Sequence, residues 1–90
     1  MSEQAEKTAA VRVLFFAAAR DAAGTGELAL DAVAEGFTVG ALARELAARY
    51  PDLGARMRSV RFAVNGEYVR DEHPVRAGDE VAVIPPVAGG

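Results

Sequence analysis

Val11-Arg12-Val13-Leu14-Phe15-Phe16 is dense in β-branched and aromatic residues and predicts a strand. Glu27 to Asp31 (ELALD) alternates polar and apolar and predicts a second strand, paired with the first. Ala17 to Gly26 between them reads as a loop that can open with a short helical turn. Thr38 is placed to cap a helix running from Val39 to about Tyr50. Val39, Leu42, Leu46 and Tyr50 fall on one stripe of that helix, and Glu45 and Arg49 are spaced for a surface pair. Pro51 ends it, and Leu53 to Ser59 predicts a short helical turn with Leu53 and Met57 facing inward. Asn65-Gly66 sits between Arg61-Phe62-Ala63-Val64 and Glu67-Tyr68-Val69. Both turn residues tolerate positive φ, so a tight hairpin is expected. Asp71 to Asp79 is a turn region, and Glu80 to Ile84 is the last strand. The order is β-β-α-β-β-β, an α+β domain with about five strands and one main helix on one face. Residues 1–10 form a lead-in without period, 11–84 the domain, and 85–90 an extended tail.

Strand parity then separates two faces. Val11, Val13 and Phe15 share the inner face with Phe62, Val64, Val81 and Val83. Leu14, Phe16, Ala63, Ala82 and Ile84 fall on the face away from the helix, and Tyr68 joins them from the hairpin arm. One helix cannot cover both faces of a sheet. Contiguous exposed apolar surface on a small domain marks a partner site, here with Arg12, Arg61 and Glu80 as a polar rim.

Composition removes most other chemistry. There is no cysteine, hence no disulfide, no cysteine nucleophile and no cysteine-based zinc site. His73 is the only histidine and sits in a turn beside Asp71, Glu72 and Pro74, so no metal set is expected. Neither Ser2 nor Ser59 lies in a nucleophile elbow, and Gly24-Thr25-Gly26 lacks the lysine of a phosphate loop. Net charge is −3 without a basic stripe, which argues against a nucleic-acid partner. No segment approaches the ~18 apolar residues of a membrane span, and no secretory signal opens the chain. A cytoplasmic protein is expected.

The chemistry that remains is at Gly89-Gly90. Glycines lack a Cβ, so an extended pair is thin enough to enter a narrow site on another protein. Pro85 and Pro86 favour polyproline II and aim such a tail away from the body. A terminal carboxylate on Gly90 is chemically useful, because activation can turn it into an acyl group. A frayed end is the alternative reading of the same residues.

Several segments together resemble the molybdopterin synthase small subunits, sulfur carriers of the ubiquitin-like β-grasp superfamily. They are Val13-Leu14-Phe15-Phe16-Ala17 with Arg20 and Gly24-Thr25, then Thr38-Val39, Ala41-Leu42, Ala63-Val64-Asn65 and His73-Pro74-Val75. The most specific are Gly78-Asp79-Glu80-Val81-Ala82 and Pro85-Pro86-Val87-Ala88-Gly89-Gly90. The resemblance covers roughly residues 11–90. It implies a β-grasp sheet with the first and last strands side by side in its middle. It also implies that an activating enzyme adenylates Gly90 with ATP, and that a sulfur donor, such as a cysteine desulfurase or rhodanese-like protein, converts it to a thiocarboxylate. The charged tail would then deliver sulfur to a cyclic pterin precursor inside a large catalytic subunit, in a heterotetramer. No bound cofactor is implied. Leu14, Phe16, Arg20, Tyr68, Ile84, Pro85, Pro86, Val87 and Ala88 are the partner-binding positions so implied, with Gly89 and Gly90 at the reacting end. Two features depart from the family pattern: the first ten residues are extra, and Val83-Ile84 stand where aromatics often precede Pro-Pro. Related carriers serve cysteine or thiamine-thiazole synthesis, and a ubiquitin-like modifier joined to lysines through Gly90 is a further class.

Overall fold

The computed structural model describes residues 10–86; the lead-in 1–9 and Val87 to Gly90 lie outside the described residues. In chain order the elements are β1 (Val11–Phe15), α1 (Ala17–Ala23), β2 (Glu27–Leu30), α2 (Val39–Arg49), α3 (Pro51–Gly54), a 3-10 turn (Met57–Ser59), β3 (Arg61–Val64), β4 (Glu67–Val69) and β5 (Glu80–Ile84). The sheet order is β2-β1-β5-β3-β4. β1 and β5 run parallel in the middle, with Val13 beside Val81 and Phe15 beside Val83. The other pairings are antiparallel.

The inner face follows the parity of the sequence. Val11, Val13, Phe15, Val81 and Val83 are buried against Val39, Leu42 and Leu46 of α2 and Leu53 of α3. Each such side chain contributes about 1.5–3 kcal/mol on leaving water. Tyr50 caps the C-terminus of α2 and meets Phe15 edge-on, with ring centroids 5.6 Å apart. Thr38 caps the other end, its hydroxyl accepting from the Ala41 N–H at 3.2 Å.

The structure corrects three expectations. Ala17 to Ala23 is a two-turn helix rather than a loop, and Gly24 closes it at φ 77°, in the left-handed region that suits glycine. Its alanines have the highest helix propensity, and buried Ala19 anchors it. β1 ends at Phe15, one residue early, because the chain reverses at Ala17, whose φ of 49° is rare for a residue with a Cβ. The region after Asp71 is more than a turn. Val75 is buried, its N–H donates to the Phe37 carbonyl at 2.9 Å, and Pro74 bridges Thr38.

Candidate functional site

The outer face of the sheet carries one continuous apolar row. Tyr68 on β4 pairs with Ala63 on β3, Ala63 with Ala82 on β5, and Ala82 with Leu14 on β1. Beside it Arg61 pairs with Ile84. Phe16 continues β1, and its N–H donates to the Val83 carbonyl at 3.2 Å. Leu14, Phe16, Ala63, Tyr68, Ala82 and Ile84 line a shallow hollow of about 310 Å³ together with Gly66 and Glu80. The small side chains of Ala63 and Ala82 make its floor, and the larger ones make its walls. Ala63 is only 6% exposed yet stands outside the core cluster, because its neighbours on the same face enclose it. Phe16, 46% exposed, and Tyr68, 60% exposed, are the large apolar side chains left open to solvent among the described residues.

Polar groups border this face. The Arg12 Nε–H donates to a Glu27 carboxylate oxygen at 3.0 Å, and that hydrogen bond pushes the arginine's pKa up from its ordinary value. The pair is exposed on both sides, so it adds little to stability. Arg61 reaches over the Tyr68 ring, its guanidinium carbon 4.7 Å from the centroid. Sequence reasoning had given Arg61 only to the rim. The two-residue hairpin fixes the β3–β4 register, and that register puts Arg61 diagonal to Tyr68, which was the available signal.

The turn itself is tied to β5. Asn65 and Gly66 adopt φ of 51° and 90°. The Asn65 N–H donates to the Glu80 carbonyl at 2.8 Å, and its side-chain amide accepts from the Glu80 N–H and donates to Asp79, both at 3.0 Å. The hairpin is thereby held against the strand that leads into Pro85-Pro86.

Ile84 ends β5 at the wall of the hollow, and Pro85 and Pro86 follow directly. On the helix side these prolines border a second groove, of about 260 Å³, with Ala18, Ala19, Ala55, Arg56, Ser59 and Val60. The stem thus leaves the sheet between the two concavities. Arg20 does not line the hollow. It is exposed on α1 and forms an open depression with Asp21, Gly24, Thr25 and Gly26. Val87, Ala88, Gly89 and Gly90 lie outside the described residues. His73 is exposed, and its backbone carbonyl accepts from the Val39 N–H at 2.9 Å. Among the described residues no cluster of acidic side chains and histidine could hold a metal ion, and no helix is long and apolar enough to cross a membrane.

A mixed five-stranded sheet with parallel central strands, wrapped on one side around a helix, defines a ubiquitin-like β-grasp protein, here with an open apolar outer face. The chain belongs to the ThiS family, whose sequence profile matches residues 13–90. It is 39% identical to the molybdopterin synthase sulfur carrier subunit of Chlamydomonas reinhardtii over 89% of this chain and 98% of that protein. Among solved structures, it resembles a putative molybdopterin converting factor subunit 1 from Pyrococcus furiosus. The TM-score is 0.77 at 32% identity, over 87% of this chain and 98% of the other. It also resembles SAMP1, a small archaeal modifier protein, from Haloferax volcanii. There the TM-score is 0.79 at 29% identity, over 90% of this chain and 99% of the other.

Proposed function

We propose that this chain is the sulfur carrier subunit of a molybdopterin synthase and that its chemistry takes place on Gly90. The observation that carries the reading is the position of the stem. Pro85-Pro86 leaves the sheet directly from Ile84, a wall of the apolar hollow, so the stem starts beside the face proposed for the partner. The family profile runs through to Gly90, and the chain's relatives carry sulfur within that synthase.

A carboxylate is a poor electrophile, so the first step is adenylation of Gly90 by an activating enzyme using ATP, with release of pyrophosphate. A persulfide sulfur on the donor protein then attacks the acyl carbon and expels AMP. A donor thiol cleaves the resulting S–S bond and leaves a thiocarboxylate on Gly90. That group is a good sulfur nucleophile, and the large catalytic subunit presents it to the cyclic pterin precursor. Two rounds complete the dithiolene. The protein's own contribution is docking and delivery: Leu14, Phe16, Tyr68 and Ile84 seat the large subunit, and Pro85 to Ala88 span into its active site. Arg20, away from the hollow, would meet the partner only at its margin. A heterotetramer of two carriers on a dimeric large subunit is the proposed assembly. A cysteine desulfurase or rhodanese-like protein is the proposed sulfur source, and the cytoplasm the compartment.

Mass spectrometry tests the chemistry. After incubation with activating enzyme, ATP and sulfur donor, the C-terminal peptide should gain about 16 Da, one oxygen replaced by sulfur. Gly90→Val should slow this sharply, because a β-branched side chain obstructs close approach to the backbone. Sulfur elsewhere on the chain would overturn the assignment. Similarity to SAMP1 favours one second reading, a modifier joined to lysines, which a ladder of lysine adducts would reveal. A pyridoxal-phosphate enzyme recovered in place of a pterin-binding partner would point to a cysteine-synthesis carrier.

A further inference from the structure

Tyr68 is the more exposed of the two aromatic side chains lining the hollow, and it sits on a short edge strand. β4 has three residues and is an edge strand of the sheet among the described residues. An aromatic ring on such an edge has few neighbours to fix its rotamer. Arg61 supplies one. Its guanidinium stacks on the ring with the central carbon 4.7 Å from the centroid. Its backbone pairs with Ile84 on β5, and Tyr68 lies diagonal to it on β4, on the same face of the sheet. Among the described residues no carboxylate forms a salt bridge with Arg61. The Tyr68 ring is therefore the partner that the structure gives the Arg61 side chain.

We propose that Arg61 is a positioning residue of the partner face: it clamps the Tyr68 ring in its docked orientation before the partner arrives. The inference rests on the reading that the hollow seats the large subunit. Association otherwise has to immobilise an exposed, rotatable aromatic side chain, and a clamp made in advance removes that entropic cost. Arginine suits the task because its planar group packs on an aromatic face.

The test is a double-mutant cycle read by binding to the molybdopterin synthase large subunit from the same organism. Arg61→Ala should weaken binding about threefold to fivefold. In a Tyr68→Leu background, which keeps an apolar wall but removes the π face, Arg61→Ala should change nothing further. Arg61→Lys should recover part of the loss, and melting should stay within about 2 °C for all three. In the free protein, NMR should show the Arg61 side-chain protons shifted upfield by the ring current, and Tyr68→Leu should abolish that shift. An equal loss in both backgrounds would mean that Arg61 touches the partner directly, and the clamp would be wrong. Unshifted Arg61 protons, or a silent Arg61→Ala, would also overturn it. Phe16→Asp in the same assay separates the two levels. If it too leaves binding intact, the partner face itself falls and the clamp with it. If it weakens binding while Arg61→Ala is silent, only the clamp falls.

Discussion

Phe15 and Phe16 are adjacent in the chain and opposite in role. Phe15 is buried and packs on Tyr50, while Phe16 is nearly half exposed beside the hollow. Phe15→Ala should destabilise the fold by about 3–5 kcal/mol, the usual cost of truncating a buried phenylalanine. At a few degrees per kcal/mol in a domain this small, the melting temperature should drop by well over ten degrees. Phe16→Asp should leave melting nearly unchanged and weaken large-subunit binding strongly, because a carboxylate would lie unpaired in a dry interface. The reverse pattern, with Phe16→Asp unfolding the protein, would show that the two faces are exchanged. This division was legible from parity alone, since Arg12 marks one face of β1 as wet and the side chains alternate. The near-complete burial of Ala63 on that wet face was not. It depends on the side chains that stand around it, and parity carries no information about them.

At the level of elements, the sequence marked β1, α2, the hairpin and β5 because each carries a strong period or turn signal. α1 was read as a loop because its run of alanines has no apolar–polar contrast to make a stripe. Propensity, with Gly24 as the stop, was the usable signal. Val75 was overlooked because one apolar residue among turn formers has no period. Its burial comes from the bridge between Thr38 and Pro74, a contact made only in the folded chain. Close packing of α2 on α3 was equally invisible. A Cβ added at Gly54 would lie 3.0 Å from the Ala47 carbonyl oxygen and 3.1 Å from the Ala47 Cβ. Two effects oppose each other in Gly54→Ala. Loss of unfolded-state freedom favours the variant by about 0.5–1 kcal/mol. The clash is with helix backbone, which cannot rotate aside, and overpacking of that kind costs about 1–3 kcal/mol. The clash should win, lowering the melting temperature by several degrees. A melting temperature that rises would show that α3 has room to shift.

On the scale of the whole molecule, the buried core and the residues of the proposed function occupy different parts of the chain. Among the described residues, the buried core runs from Val11 to Val83, and β5 is paired on both sides by β1 and β3 before the stem begins. No core position falls on Pro85 or Pro86. The proposed binding face and the proposed reacting group are therefore separable by truncation. Deleting Gly89-Gly90 should leave the thermal melt within about 2 °C of the full chain, since every strand pairing and core side chain of the described residues remains. Binding to the large subunit should weaken only by the share that the tail contributes, because Leu14, Phe16, Tyr68 and Ile84 remain in place. Gain of sulfur should be abolished outright, because the residue to be adenylated is gone. Three measurements on one variant thus test the division: calorimetry, a binding isotherm and mass spectrometry of the charged product. A large fall in melting temperature would show that the tail packs on the body. Complete loss of binding with the fold intact would shift the main anchor from the hollow to the tail.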